Sequence, residues 1–475
     1  MARETVVLLT LVFYKIVLIL IGLVARRRTH SGVDFFLGGR TLGPFVAAIS
    51  ASASSSSAWV LLGVSGAAYA WGLSALWIFP ATAGGYLLNW YFLAPGLQRL
   101  SHRTGAVTVT EVLAGPPGSR FNRALTWIAS LIILFSLGAY VASQFQGAGK
   151  TFSETFEISL FMSILIGSGV VVLYTLLGGF WAVSLTDTLQ GLVMAGTAVT
   201  LPLAAFIAVG GPSEFWKGMN RIEVEGYLSL TRDLPPMIGL GFVLGLFGIG
   251  LGHPGQPHVV NRFMALKEGE SQVVWARWIA VGWATLVYGG MLFLGLCGRI
   301  LYPSISDREV VFLVASNDLF PAIVSGVLLA SVLSAIMSTA DSQLLVAASS
   351  VTYDLRLGGA TSANILLHSR FVVLLLSLIA VIVALYGSQQ IFALVLFAWT
   401  AMGAAFGPLL MVTVLRGPVS PVRSLGAMVC GFSLAVLAYS FPETRGGATE
   451  RVLPFVVALA MILLPSPGGT KSIKN

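Results

Sequence analysis

Blocks of apolar residues recur along the entire chain, and the charged residues collect in the short intervals between them. A helix of about 20 apolar residues spans the hydrocarbon core of a bilayer, and about thirteen segments meet that standard. They lie near 5–25, 43–71, 73–94, 124–148, 158–178, 184–209, 236–264, 273–299, 308–350, 366–387, 389–415, 421–440 and 450–466. No interval between them is large enough for a soluble domain. The pattern predicts an all-α polytopic membrane protein folded as a single transmembrane domain over 1–475.

Two of the segments are interrupted from within. The second carries Ser50-Ala-Ser-Ala-Ser-Ser-Ser-Ser57, and the seventh carries Gly248-Ile-Gly-Leu-Gly-His-Pro-Gly-Gln-Pro-His258. Hydroxyls facing lipid would be left unsatisfied at a cost of several kcal/mol each, so the serine run must face protein, water or an ion. Glycine and proline weaken or remove helical hydrogen bonds in the seventh segment. Interruptions at corresponding places in two halves are the sequence mark of an inverted repeat with a binding site near the bilayer midplane. The spacing predicts five helices over 43–209 repeated over 236–415, with 1–42 and 416–475 peripheral. This expectation rests on spacing alone, since the halves share no visible sequence identity.

Composition agrees with this picture: 56% of the 475 residues are hydrophobic, 10% are charged, and mean hydropathy is +0.88. The first segment lacks a small-residue cleavage site and is followed by Arg26, Arg27 and Arg28, which reads as a retained helix with its N-terminus outside. With that orientation the loops carrying Arg99, Arg103, Arg120, Arg123, Arg262, Lys267, Arg277, Arg356, Arg370, Arg416, Arg423, Lys471 and Lys474 are cytoplasmic, as the positive-inside rule asks. The net charge of +8 is therefore a topology signal and not a nucleic-acid surface. Cys297 and Cys430 lie far apart in apolar segments and read as free thiols. There is no Walker-type phosphate loop and no cluster with metal-ligand spacing, which disfavours an enzyme or an ATP-driven pump.

Helical spacing puts Ser50, Ser54 and Ser57 on one face. Close helix packing accounts for such small residues; so does a hard cation held by hydroxyls and freed carbonyls. The ninth segment offers Ser331, Ser334, Ser338, Thr339, Asp341 and Ser342 as partners. A carboxylate inside a span is a functional-site hypothesis by default, and Asp341 and Asp187 are two such residues. Asp187 also reads as an acid near a helix N-terminus, favoured by the macrodipole. Tyr140, Ser143 and Gln144 form a polar patch that serves helix packing or solute contact equally well. Lys15 snorkels in the first segment. Imidazole titrates near neutral pH, so proton transfer is one reading of His253 and His258, although a structural place at a helix end explains His258 better.

Several stretches carry a resemblance: Asp34-Phe-Phe-Leu-Gly-Gly-Arg-Thr-Leu-Gly-Pro44, the serine run ending at Trp59, Gly178-Gly-Phe180 with Thr186-Asp-Thr-Leu-Gln190, Gly255-Gln-Pro-His258 with Arg262-Phe-Met-Ala265, Met337-Ser-Thr339, and Ala398-Trp399 with Gly403-Ala-Ala-Phe-Gly-Pro408. In this order and spacing they resemble the sodium/solute symporter family, most of all its bacterial sodium/proline symporters. The resemblance implies the leucine-transporter fold and sodium-coupled alternating access. It implies a sodium site on the carbonyls of Ala53, Ser56 and Ala335 and the hydroxyls of Ser338 and Thr339. It also implies a second cation site at Asp187, Asp341 and Ser342, and solute contacts at Ser57, Tyr140, Ile249, Gly250 and His253.

Three positions depart from the pattern of the proline carriers, which have aspartate at the position of Ser55, tryptophan at Ile249 and tyrosine at His253. The pattern has no acid at Asp341, so the chain is expected to have moved its negative charge from the second segment to the ninth, beside the cation. The leading expectation is sodium-coupled import of a small organic solute, proline or another amino acid, across the bacterial inner membrane. It needs no cofactor, with sodium as co-substrate and the bilayer as its surroundings, and it works as a monomer or weak oligomer. The alternatives are a sodium- or proton-coupled carboxylate or vitamin importer and, in a different class, a membrane sensor. About ten residues follow the last segment, leaving no output domain for the latter. A channel fits paired broken helices less well than a closed midplane site does.

Overall fold

The computed structural model describes residues 2–26, 36–115, 119–176, 180–355, 362–387 and 390–464. Arg27, Arg28, Asp34, Gly178, Gly179, Arg356, Lys471 and Lys474 lie outside the described residues.

The chain folds into helices: α1 (Arg3–Arg26), α2 (Pro44–Ala58), α3 (Ile78–Leu87), α4 (Arg120–Phe156), α5 (Leu160–Thr175), α6 (Phe180–Val209), α7 (Pro236–Leu251), α8 (Pro257–Ala265), α9 (Glu270–Leu301), α10 (Ala322–Ser349), α11 (Ser362–Tyr386), α12 (Ile391–Arg416), α13 (Pro421–Ser440) and α14 (Leu453–Leu463), with shorter helical pieces between them. Nine helices among the described residues are long and apolar enough to cross a membrane. This differs from the expected count of about thirteen for local reasons. The segments at 43–71 and 73–94 fall in one run, Pro44–Thr104, of 61 residues. Leu160–Thr175 and Pro236–Leu251 are apolar but shorter, and Leu453–Leu463 has 11 residues.

Helix α2 starts at Gly43-Pro44, where proline costs no hydrogen bond in the first turn. Every residue from Ala47 to Ala58 is buried. That burial on all sides explains why its sequence has no polar face: α6, α8, α9 and α10 pack around it. Helix α1 lies outside the bundle against α6 and α10, while α13 and α14 pack against α12. Large apolar side chains such as Phe13, Leu173, Ile207 and Trp275 stand exposed on the outer helices, as a lipid-facing surface requires. Before α2, Leu42 pairs with the end of α8: its N–H donates to the Ala265 carbonyl at 3.1 Å, and its own carbonyl accepts from the Lys267 N–H at 2.9 Å. That pairing ties the start of the first broken helix to the end of the second.

Candidate functional site: two broken helices and a buried ion pair

Helix α2 breaks at a single residue of the serine run. Ser57 has φ 56° and ψ −175°, a left-handed φ that a non-glycine residue holds only where its surroundings compensate. The compensation is visible. The Ala58 N–H donates to Gln144 Oε1 at 3.0 Å, and the Trp59 N–H donates to Ser57 Oγ at 3.1 Å. Gln144, read from the sequence as packing or solute contact, thus supports the break. Tyr140, one turn earlier on α4, donates to Ser57 Oγ at 3.4 Å.

The second break separates α7 from α8, with Gly252 to Gln256 between them and Pro254 and Pro257 unable to donate to a helix. Backbone freed inside a membrane protein needs partners from neighbouring side chains. Here the Trp399 indole N–H donates to the Ile249 carbonyl at 3.0 Å, and Gln256 Nε2 donates to the carbonyls of Gly252 and Trp399, both at 2.9 Å. Asn89 Nδ2 donates to the His253 carbonyl at 3.2 Å. Two glycines serve close approach: a Cβ on Gly252 would overlap the Trp399 indole, and one on Gly250 would overlap the Ala81 carbonyl of α3. Gly250 therefore faces α3, and Ile249 contributes its carbonyl.

The breaks meet across an aromatic box. The His253 ring lies 4.8 Å from Trp399 and 5.4 Å from Tyr86, centroid to centroid. Tyr140 stands edge-on to His258 at 6.0 Å and to Trp399 at 6.5 Å, and Tyr288 lies 6.0 Å from Trp59. His253 Nδ1 is 3.3 Å from the Ile249 carbonyl. A carbonyl only accepts, so this assigns the proton to Nδ1 and leaves Nε2 an acceptor. Nε2 is buried and has no protein partner. Ser55 pairs with the Tyr86 hydroxyl at 3.0 Å and donates to the Ser52 carbonyl at 2.9 Å.

Below the box, α2 faces α10. Thr339 Oγ1 donates to the Ser54 carbonyl at 3.0 Å, and Ser338 Oγ lies 3.4 Å from Ser54 Oγ. Ala53, Ser56 and Ala335 are fully buried in the same two helices, and Ser56 donates to the Ser52 carbonyl at 2.7 Å. Ala335, Ser338, Thr339 and Ser342 follow the i, i+3, i+4, i+7 spacing of one helical face. The oxygens gathered here are neutral carbonyls and hydroxyls, a set that suits a hard monovalent cation.

A buried ion pair adjoins this face. Arg262 Nη2 lies 2.9 Å from Asp187 Oδ2, and each side chain is 1% exposed. Ser50 and Ser54 donate to the same carboxylate oxygen at 2.8 and 3.1 Å, and Ser342 Oγ takes Arg262 Nη2 at 2.6 Å. Two expectations are corrected. Arg262 is not a loop cation of the positive-inside set; α8 carries it into the bundle, where Asp187 supplies the countercharge. Asp187 is well inside α6 and holds that ion pair, so the helix dipole does not account for it.

The proposed second cation trio is also divided. Ser342 joins the Asp187 network, whereas Asp341 accepts from the Thr175 hydroxyl of α5. Lys15 of α1 reaches Met337 and stands 5.0 Å over the Tyr174 ring on that same side. Positions 341 and 342 are neighbours on the helix, about 100° of turn apart, and Asp341 meets α5 through Thr175. Lys15 points inward and does not snorkel.

Sequence reasoning gave no role to Tyr86, Asn89, Gln256 or Trp399, and gave Arg262 only a place in a basic loop. Gln256, Arg262 and Trp399 lay in the matched stretches, and the Gly84-Gly85 pair before Tyr86 marked a close approach. It also missed a buried charge cluster joining α4 to the start of α12. Lys150 Nζ near the end of α4 lies 2.7 Å from Glu309 Oε2 and 2.6 Å from Asp307 Oδ2. Glu309 caps the start of α12, accepting from the N–H groups of Ile391 at 3.1 Å and Phe392 at 2.9 Å. A cavity of about 450 Å³ lined by Tyr69, Arg299, Asp307, Arg308, Glu309 and Gln390 opens beside it.

Two interrupted helices packed around a buried polar core, with carbonyls and hydroxyls facing each other across α2 and α10, define a multi-pass membrane carrier of the leucine-transporter fold. The structure superposes on a sodium-coupled sialic acid symporter in a substrate-bound outward-open state with a TM-score of 0.77 at 17% identity, covering 97% of this chain and 98% of the other. It superposes on MhsT in complex with L-phenylalanine with a TM-score of 0.57 at 11% identity, covering 88% and 97%. At sequence level, the chain is 34% identical over 454 residues to the sodium/proline symporter of Escherichia coli strain K12, covering 92% of this chain and 88% of the relative. It is 32% identical over 467 residues to the osmoregulated proline transporter OpuE of Bacillus subtilis strain 168, covering 95% and 93%. The profile of the Sodium:solute symporter family matches residues 35–432, and the chain belongs to that family.

Proposed function

We propose that the protein is a secondary carrier that couples inward sodium movement to import of a small amino acid, proline first among the candidates. It performs no covalent chemistry, uses no cofactor, and works as a monomer or weak oligomer with its N-terminus outside, in a bacterial inner membrane. Residues 43–209 and 236–415 act as the two repeats, with the rest peripheral. The relatives named as sodium/proline symporters at 34% identity support the substrate class. The observation that carries the reading is the break of α2 at Ser57, one turn after Ser54, whose carbonyl accepts from Thr339 of α10.

In this reading the Ala53, Ser56 and Ala335 carbonyls and the Ser338 and Thr339 hydroxyls receive sodium. The solute occupies the aromatic box between Ser57, Tyr140, Ile249 and His253. Its amine N–H meets His253 Nε2, the buried acceptor without a protein partner, and its aliphatic part lies against Trp399 and Tyr86. Sodium ordering the Ser57 break pre-forms the solute site, so the two bind cooperatively. Each inward sodium gains about 2.3 kcal/mol per 100 mV of membrane potential. Binding of labelled proline and a panel of other amino acids to the detergent-purified protein, in sodium and in potassium buffer, tests this. Sodium-dependent binding of at least one amino acid is expected; equal binding in both buffers contradicts the coupling.

A further inference from the structure

Past Ser349, its last α-helical residue, α10 continues as a π-helical turn, Ser350–Asp354, closed by the Leu355 N–H on the Ser350 carbonyl at 3.1 Å. Single turns of this kind are frequent at functional sites. Here the turn delivers Asp354 to Thr108, whose hydroxyl donates to Asp354 Oδ1 at 2.7 Å. The same Thr108 oxygen accepts the Glu111 N–H at 3.1 Å as the N-cap of the short helix Val109–Ala114, so its one proton is committed to Asp354. Asp354 Oδ2 is buried, and no described residue donates to it. No described lysine or arginine is paired with Asp354 either. Arg40, in the approach to α2, gives its Nη2 to the Ala106 carbonyl at 2.8 Å and its Nε to Ser101 Oγ at 3.4 Å, both neutral.

Thr108 also lines a cavity of about 10 Å³, room for about one water molecule. Its walls include Ser342 and Ser349 of α10 and Asn261 and Arg262 of α8. Ser338, Ser342 and Ser349 are spaced four and seven apart on one stripe of α10, so the cavity lies on the line from the Ser338-Thr339 face to Asp354. Asn261 is 7% exposed, and its Oδ1 has no partner among the described residues. Two buried acceptor oxygens thus stand at the cavity, Asn261 Oδ1 on its wall and Asp354 Oδ2 behind Thr108. Arg262, also on the wall, is balanced by Asp187 and puts no net charge on the path. A carboxylate shielded from water without a countercharge is costly, and a hard cation that takes oxygen ligands removes that cost. We propose that Asp354 and Asn261 form a release station for sodium, a transient cation site on the way from the face between α2 and α10 to the cytoplasm. The proposal rests on the sodium-symport reading above and concerns the way out alone.

The test treats the two sides of the membrane separately. Right-side-out vesicles, from cells that express the full chain and lack their own proline carriers, are loaded with graded sodium. Initial uptake of labelled proline is then measured against sodium inside and outside. In wild type, internal sodium slows uptake by rebinding from the cytoplasmic side. Asp354→Asn is expected to raise the internal sodium concentration for half-inhibition by about tenfold and to leave the external concentration for half-maximal uptake unchanged. Asn261→Leu is expected to raise the internal value by about threefold. Thr108→Val frees Asp354 Oδ1 for the ion and is expected to lower it by about threefold. A mere latch between Thr108 and Asp354 behaves differently: Asp354→Asn and Thr108→Val would both loosen the cytoplasmic side, and both would lower the internal value. That result overturns the proposal, as does an internal value that Asp354→Asn leaves in place. Where Asp354→Asn does not reach the membrane, opposed shifts in Asn261→Leu and Thr108→Val support the station, and parallel shifts overturn it. Wild-type uptake that ignores external sodium refutes the symport reading instead, and the station falls with it.

Discussion

Asp341 and Ser338 lie within one turn of the same helix and do different work. Ser338 and Thr339 meet Ser54 of α2, whereas Asp341 accepts from the Thr175 hydroxyl of α5. The proposed sodium site predicts a matching division in the sodium dependence of uptake. If the proposed sodium site is right, Ser338→Ala and Thr339→Ala each take away one neutral ligand and are expected to raise the sodium concentration for half-maximal uptake by about tenfold, the equivalent of one lost contact of about 1.4 kcal/mol. Asp341→Asn is expected to leave it unchanged. Uptake measured against sodium concentration separates the three, and a large shift in Asp341→Asn with none in Ser338→Ala would restore the idea of a displaced sodium carboxylate. Much of this residue-level chemistry was legible beforehand. The serine run, Ser338, Thr339 and Asp187 all stood out because hydroxyls and acids in an apolar span need a partner. Arg262 did not, because a basic residue near the end of an apolar segment looks the same whether it faces lipid headgroups or turns inward to an acid on another helix.

Helices α4 and α12 are joined at one end by a small buried charge cluster. Glu309 is 2% exposed at its side chain, pairs with Lys150 and caps the first N–H groups of α12, where the helix dipole also favours a negative charge. Removing one partner of a buried pair leaves the other uncompensated, so Lys150→Met is expected to destabilise the protein by about 3–5 kcal/mol. The companion Lys150→Met/Glu309→Gln variant is expected to recover part of that loss. Thermal unfolding in detergent at low and high salt provides the measurement, and salt is expected to matter little because the pair is shielded from the ionic atmosphere. The breaks in α2 and between α7 and α8 were foreseen as elements from their serines, glycines and prolines. Their sharpness was not. The α2 break falls on Ser57 because Gln144 of another helix takes the freed Ala58 N–H, and a long-range partner of that kind leaves no mark in local composition.

The whole molecule is a bundle whose outer helices expose Phe13, Leu173, Ile207 and Trp275 to lipid while the polar chemistry is sealed inside. The apolar periodicity foretold this directly, because each helix must satisfy its own backbone in the bilayer. The run Pro44–Thr104 is 61 residues long because helical turns continue through Gly72–Trp77, at the junction of the two segments read from the sequence, where Gly72 with φ 61° and ψ −136° turns the chain. The basic loops predict an orientation with the N-terminus outside. In a background where Cys297 and Cys430 are serine, a cysteine at Lys217 is expected to react with an impermeant maleimide from outside. One at Arg103 is expected to react only after the membrane is opened. The reverse pattern would invert the topology. The central claim is that a sodium gradient drives amino-acid entry through this bundle, and labelled proline uptake into proteoliposomes tests it most directly. Accumulation above equilibrium is expected with an inward sodium gradient and none with potassium at matched pH; equal uptake under an inward proton gradient without sodium would contradict the account.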